Sequence, residues 1–388
     1  MIARIFFIII ILIVLPDLYI DVHYLRHKRK YTWWKRLLWW MPTIILIAYT
    51  LKLTFEKDFV PTNMTLINTY LFLLGIVVAP KVLFMIFSFI GWKICKWRYK
   101  DYTIANIIGI LCGIGTVCLM IYGGTTGIKN LDVTHIDYYS DKLPASFDGY
   151  KIVQFTDVHA GSFTGKNIKL LENFIDSINA QHGDMIVFTG DLQNKQPSEL
   201  YPLTDIFKKL KAEDGVYSIL GNHDYSEYIS ADEATKNKNN AEHVRMHKVF
   251  GWKILLNEND KVYRGGDSIV IAGTENDGRP PFPEKADYAK TMAGVGDSAF
   301  VIMLQHDPTA WHRNILPKTN AALTLSGHTH GGQFKVFGWS PASFSYDEWG
   351  GYYKDGDKAI YVSTGIGGVV PFRIGVNPEI AVITLHKK

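Results

Sequence analysis

The residues able to do chemistry lie in five short clusters within the later part of this 388-residue chain. They are Asp157-Val158-His159, Gly190-Asp191, Gly221-Asn222-His223-Asp224, His306-Asp307 and Gly327-His328-Thr329-His330. Five of the 13 histidines fall in them. Carboxylate and carbonyl oxygens suit Mg and Mn, and imidazole suits Zn and Fe, so the mixture fits a pair of hard-to-borderline divalent cations. Alternate residues of an extended segment point to one side, so Asp-x-His and His-x-His each present two ligands together. One aspartate, with two oxygens, can bridge two ions. Alone, a Gly-Asp pair is as readily a turn, and a single histidine as readily a core or surface residue; the ordered set carries the reading. The three cysteines, Cys95, Cys112 and Cys118, all precede the clusters. Thiolate ligands and disulfides are therefore excluded where the clusters lie.

Each cluster follows a strand-like run. Lys151–Thr156 leads to Asp157, Met185–Thr189 to Gly190, Val216–Leu220 to Gly221, Phe300–Leu304 to His306 and Ala321–Leu325 to Gly327. Further strands are expected over Ser268–Ala272, Ile360–Ser363 and Ile380–Leu385, and helices over Asn167–Ala180 and Pro202–Leu210. Strands alternating with helices make an α/β domain, in which ligands gather at the carboxyl ends of strands. Asp232–Val249 is polar and reads as a solvated helix or excursion with no part in the site.

The rest of the chain has a different character. Residues 1–130 hold 15 Lys+Arg and 5 Asp+Glu, against 26 and 32 in residues 131–388. With 47% hydrophobic and 20% charged residues overall, disordered, collagen-like and disulfide-stapled classes are excluded. A nucleic-acid partner is not expected, because the basic residues sit between apolar runs. Those runs are Ile2–Ile20, Leu38–Leu53, Leu66–Trp92 and Ile104–Tyr122. Each is near the roughly 20 residues that a spanning helix needs. No small-residue cleavage site follows the first, which is expected to stay as a helix. Lys and Arg crowd the first connection (Arg26, Lys28, Arg29, Lys30, Lys35, Arg36) and the third (Lys93, Lys96, Arg98, Lys100). These should face the cytoplasm, leaving the rear domain outside it. Asp17 and Lys81 lie inside the runs, either as a pair or snorkelling to headgroups. The expected organisation is a helical transmembrane domain at 1–128, a linker leading into the next domain at 129–149, and a catalytic domain at 150–388.

The ordered clusters resemble the calcineurin-like metallophosphoesterase superfamily over roughly residues 150–386. Within it, they are similar to the membrane-anchored bacterial branch of cell-wall phosphoesterases and UDP-diacylglucosamine pyrophosphohydrolases. The resemblance implies a four-layer α/β/β/α sandwich with two divalent ions (Mn, Fe or Zn) at one edge. One ion would be held by Asp157, His159, Asp191 and His330, and the other by Asp191, Asn222, His306 and His328. His223 would contact the phosphate or protonate the leaving oxygen, with Asp224 orienting it. The implied activity is hydrolysis of a phosphodiester or pyrophosphate by hydroxide bridging the two ions. The membrane domain adds the lipid bilayer as partner, a lipid- or envelope-linked phosphoester as substrate, and the bacterial cytoplasmic membrane as location. A non-catalytic receptor or scaffold, a transporter regulated by the rear domain, and a cytoplasm-facing UDP-lipid pyrophosphohydrolase are the alternatives. Arg373 is either a substrate-phosphate contact or a surface arginine. The aromatic-rich segment Trp339–Tyr353 is a lid, a lipid-facing patch or the packed edge of the domain.

Overall fold

The computed structural model describes residues 2–26, 32–61, 63–98 and 103–388. Lys28, Arg29, Lys30 and Lys100, which weigh in the orientation above, lie outside the described residues. The chain forms two compact units, residues 1–126 and 127–388.

Among the described residues, the chain's first part holds four helices long and apolar enough to cross a membrane: Phe6–Leu25, Trp33–Thr54, Met64–Lys96 and Ile104–Gly127. The third has a π-helical stretch at Leu74–Val78 just ahead of Pro80. Proline lacks the N–H that continues the ladder, and a local widening absorbs the fault without ending the helix. Asp17 and Lys81 form a pair: the ammonium lies 2.9 Å from the buried carboxylate, which also accepts from the Thr43 hydroxyl. The Lys81 ammonium also sits 5.0 Å from the centre of the Trp39 ring. One helical turn on, Asp21 takes two bonds from Arg36, at 2.7 and 3.1 Å.

The second unit is built from two six-stranded sheets. Its strands are β1 (Asp132–Ser140), β2 (Lys151–Phe155), β3 (Met185–Phe188), β4 (Val216–Ser218), β5 (Lys253–Ile254), β6 (Glu258–Arg264), β7 (Asp267–Gly273), β8 (Val301–Leu304), β9 (Leu323–Ser326), β10 (Gly351–Asp355), β11 (Lys358–Val362) and β12 (Glu379–Lys387). The orders are β1-β12-β2-β3-β4-β5 and β10-β11-β9-β8-β7-β6. β2 to β5 run parallel, as do β7, β8, β9 and β11. Alternation along the strands separates two faces. Ile152, Met185, Val187, Ile302, Leu304 and Leu325 point between the sheets into a shared core. Val153, Phe155, Ile186 and Phe188 point outward, onto the helices Ile168–Asn179 and Glu233–Phe250. Short helices at Tyr288–Thr291 and Leu316–Lys318 lie on the outer face of the second sheet, over Val270, Val301 and Met303. The layers are therefore α/β/β/α.

Three stretches differ from the sequence expectation. The segment 129–149 carries β1, nine residues in register with β12. Pro202–Leu210 holds only one α-helical turn, Thr204–Phe207, after two 3₁₀ turns. The helix Glu233–Phe250 buries His243, Met246, His247 and Phe250 along one face, so it is not a solvated excursion.

Candidate metal centre

All five clusters leave the carboxyl ends of parallel strands at one edge of the sandwich: Asp157 and His159 after β2, Asp191 after β3, Asn222 and His223 after β4, His306 after β8, His328 and His330 after β9. The polypeptide turns sharply there. Asp157, His159, Asp191, His328 and His330 all have left-handed backbones, with φ of 52°, 50°, 61°, 74° and 52°. Each such residue costs about 1–3 kcal/mol, a strain that clusters at functional sites. Glycine is required beside them. A Cβ at Gly221 would overlap the Asp191 carboxylate, and one at Gly327 would overlap that of Asp157.

Ligand-bearing atoms converge in three overlapping groups, each within 4.8 Å: Asp157, His159 and His330; His159, Asp191 and His223; and Asp191, His306 and His328. The Nε2 atoms of His159 and His330 are 3.2 Å apart. His306 donates Nδ1–H to the Thr189 carbonyl at 2.7 Å, which turns its Nε2 to Asp191 at 3.2 Å and to His328 Nδ1 at 3.3 Å. On its far side, His328 Nε2 meets the Tyr346 hydroxyl at 2.9 Å. Asn222 donates its amide N–H to the Tyr228 hydroxyl at 2.7 Å, leaving its buried Oδ1 with no hydrogen-bond partner among the described residues. Buried amide oxygens are rarely left so, and a cation would satisfy this one. His159 and His330 are also unsupported from behind: their buried Nδ1 atoms have no partner among the described residues.

The electrostatics fit a cation as well. Burial lifts the Asp157 carboxyl to about 7, with Asp191 adding to the rise. Burial also opposes ionisation of Asp191, but His306, His223 and His159 around it hold it well below the usual carboxylate range. Burial disfavours a charged His306, yet the Asp191 and Asp157 carboxylates overcome this and raise it to about 10. Burial drives His159 down to about 3 and His330 well below its ordinary value, which keeps both in the neutral form that binds metals.

Residues 150–332 match the family model described as calcineurin-like phosphoesterase. Residues 3–128 match the model described as probable calcineurin-like phosphoesterase, transmembrane domain. The uncharacterized metallophosphoesterase YkuE of Bacillus subtilis is 31% identical over 266 residues, covering 66% of this chain and 85% of the relative. The chain belongs to the calcineurin-like phosphoesterases. An uncharacterized metallophosphoesterase of Campylobacter jejuni is 25% identical over 98% of both chains. A transmembrane protein with metallophosphoesterase domain from Danio rerio is 28% identical over 72% of this chain and 62% of its own length.

Two residues of this phosphoesterase do other work than expected. Asp224 does not reach the His223 ring. Its carboxylate accepts the backbone N–H groups of Asp191, Leu192, Gln193 and Gly221 at 2.9–3.2 Å, pinning the β3 loop to the β4 loop. The His223 ring is instead set by its Nδ1–H, which donates to the Asn194 carbonyl at 2.6 Å, and by stacking on Tyr228 at 4.2 Å. Arg373 is neither at the surface nor open to substrate. It is 2% exposed, and its guanidinium donates to the carbonyls of Thr364, Gly365, Gly367 and Asn377.

Sequence reasoning missed the residues behind the centre. His243 lies with Nδ1 2.8 Å from Gln193 Oε1 and Nε2 3.3 Å from Asp224. His247, one turn on, joins His243 Nε2 at 3.1 Å to the Ser218 hydroxyl at 2.8 Å. A pair of histidines four apart, beside Met246 and Phe250, was the available signal. Tyr228 and Phe282, whose ring meets His328 edge-on at 4.8 Å, left none; Tyr346 lies in the aromatic segment that the sequence did single out.

Proposed function

We propose that this chain is a membrane-anchored, dinuclear-metal phosphoesterase that hydrolyses a phosphodiester or pyrophosphate bond in a lipid- or envelope-linked substrate. Asp157, His159, Asp191 and His330 hold one divalent ion; Asp191, Asn222, His306 and His328 hold the second. The observation that carries this is the convergence of five imidazoles and two carboxylates, together with the partnerless oxygen of Asn222, the residue next to His223 of that group. When bound, such an ion pair clamps the phosphate and lowers the pKa of a shared water. The chain's own residues supply the rest. The Asn194 carbonyl accepts from His223 Nδ1–H and leaves Nε2 for the leaving oxygen; the acid form is the imidazolium, which gives up its Nε2 proton and keeps the one on Nδ1. Tyr228 holds both the His223 ring and the Asn222 amide in place. The distribution of Lys and Arg supports a catalytic unit outside the cytoplasm, and the bacterial cytoplasmic membrane is the location that goes with this reading.

Metal analysis and turnover of two aryl phosphodiesters, one with a good and one with a poor leaving group, test the reading. Asn222→Ala is expected to bind less metal and to lose turnover of both. His223→Ala is expected to keep its metal and to lose about 10²–10⁴-fold on the poor leaving group, the range of general acid catalysis. Full activity of His223→Ala on that substrate would remove the acid role. A cysteine at Asn239, in a chain lacking Cys95, Cys112 and Cys118, should react with a membrane-impermeant thiol reagent on intact cells. Reaction only after lysis would turn the catalytic unit to the cytoplasm.

A further inference from the structure

The aromatic segment beside the centre divides in two: Tyr352 and Tyr353, in edge strand β10, pack on the core of the domain, whereas Trp339 and Phe344, with Phe337 just ahead of them, do not. Phe337 is 104% exposed, Phe344 81% and Trp339 47%, and Trp339 meets Phe344 edge-on at 5.6 Å. Elsewhere on this unit, large exposed aromatics stand singly, as Tyr139, Tyr201 and Tyr263 do, which is ordinary for a protein surface. The tip of the segment is a tight turn, with Val336 and Trp339 exchanging backbone bonds at 2.9 and 3.1 Å. Its two central residues, Phe337 and Gly338, have φ of 51° and 82°. Such a turn favours Asn or Gly at both positions. A phenylalanine there bears backbone strain and is then presented to solvent.

The stem is firm. Lys335 N–H donates to Ile374 O at 2.8 Å, Ile374 N–H to Gln333 O at 3.0 Å, and the Ser340 hydroxyl to Gly331 O at 2.7 Å. The segment therefore holds its aromatics out rather than closing over the centre. It rises from the end of the unit where the chain comes in. Asp132, the first residue of β1, lines a cavity of about 380 Å³ together with Lys335, Trp349 and Asn377. The last spanning helix ends at Gly127. The extended chain from there to Asp132 covers at most about 17 Å.

We propose that this segment is a bilayer anchor of the catalytic unit, with Phe337, Trp339 and Phe344 seated in the membrane interface and Lys335 among the headgroup phosphates. Aromatic rings flanked by lysine are the chemistry of that zone. The short connection keeps the unit within reach of the bilayer that holds its spanning helices. The segment runs on to Tyr346, whose hydroxyl bonds His328. The anchor thus fixes the depth of the centre relative to the lipid surface and selects phosphoesters carried at that surface. This consequence rests on the function proposed above; the anchoring itself does not.

The test uses the full chain in phosphatidylcholine vesicles. An environment-sensitive NBD dye is placed on a single cysteine at Phe337 or, as control, at exposed Asn237. The Phe337 dye is expected to emit in the blue-shifted range and to lose at least half its intensity to nitroxide-labelled lipid; the Asn237 dye should do neither. Water-like emission at both sites overturns the anchor. A blue shift without quenching assigns the cover to protein, a second copy included, and overturns it too. In a second arm, Phe337→Ser/Phe344→Ser is expected to lower turnover of phosphatidyl-p-nitrophenol in vesicles about tenfold and to leave bis(p-nitrophenyl) phosphate in solution unchanged. Equal losses on both probes would remove the selection of surface substrates. Quenching in a protein that hydrolyses neither probe would uphold the anchor and remove the proposed function instead.

Discussion

The two units of this phosphoesterase bury charge in opposite ways. In the membrane unit, Asp17 meets Lys81 and Asp21 meets Arg36, so each carboxylate carries its own counter-charge from a neighbouring helix. In the catalytic unit, Asp157, Asp191 and five imidazoles crowd one edge, and Asn222 Oδ1 and Asp307 Oδ2 have no hydrogen-bond partner among the described residues. A spanning bundle gains nothing from unpaired charge, because lipid offers no compensation. A site that takes up cations must keep some of its polar atoms unsatisfied by protein. Buried charge alone is thus a poor marker of function, and so is a single partnerless atom, since Trp39 Nε1 and Asn68 Oδ1 of the membrane unit have no hydrogen-bond partner among the described residues either; partnerless atoms gathered among converging imidazoles and carboxylates are a better one.

The comparison breaks first at Asp17. Asp17→Ala or Lys81→Ala leaves a lone charge among apolar helices, with an expected loss of about 3 kcal/mol or more, seen as lower yield and lower melting temperature in detergent. The double change Asp17→Leu/Lys81→Met should recover most of that loss. Metal content per folded molecule should stay at the parent value in all three; a fall confined to Asp17→Ala would tie the pair to the centre and undo the contrast. A smaller effect is expected at His243. His243→Leu takes away the imidazole beside Gln193 and Asp224. Partners that position ligands typically contribute 10–100-fold in metal affinity. Competition with a chelator should show a loss of that size, and unchanged affinity would reduce His243 to core packing.

The strand-end clusters were legible because β2, β3, β4, β8 and β9 are short apolar runs, each followed at once by polar residues. The spanning helices were legible from length and apolarity. What escaped depended on tertiary partners. Arg373 follows a glycine-rich turn and read either as a phosphate contact or as a surface arginine. The folded turn instead offers four carbonyls to its guanidinium. Asp224 adjoins His223 in sequence, but the 3₁₀ turn Asn222–Tyr225 sends the two side chains to different neighbours. The helix Glu233–Phe250 was set aside on its polarity, yet two of its polar residues are the buried histidines. Edge strands β1, β6 and β10 went unread because half-exposed strands carry charged residues on their open faces.

The finest test concerns a carboxylate of the catalytic unit placed opposite backbone N–H groups. Glu199 accepts the N–H of Asn194 at 2.6 Å and of Lys195 at 3.2 Å, and so holds the turn whose Asn194 carbonyl sets His223. Burial lifts it to about 7, above the 4.5 of an unfolded chain, although the backbone bonds and Lys195 pull the other way. A raised carboxyl binds its proton more tightly in the folded state, so stability falls as pH rises through the interval between those values. Its contribution is whole below about 4.5 and lost once pH passes about 7. Asp157 and Asp224, also lifted to about 7 by burial, act in the same direction. They are common to parent and variant, so the difference between the two isolates Glu199. Glu199→Gln cannot ionise, but it turns an N–H donor toward one of the two backbone donors, at a cost of about 1 kcal/mol. The variant should therefore melt below the parent at pH 5, and the gap should close or reverse by pH 8 as the parent ionises. A gap that stays constant across that range would place the Glu199 carboxyl at its ordinary value and leave its backbone bonds as its whole contribution.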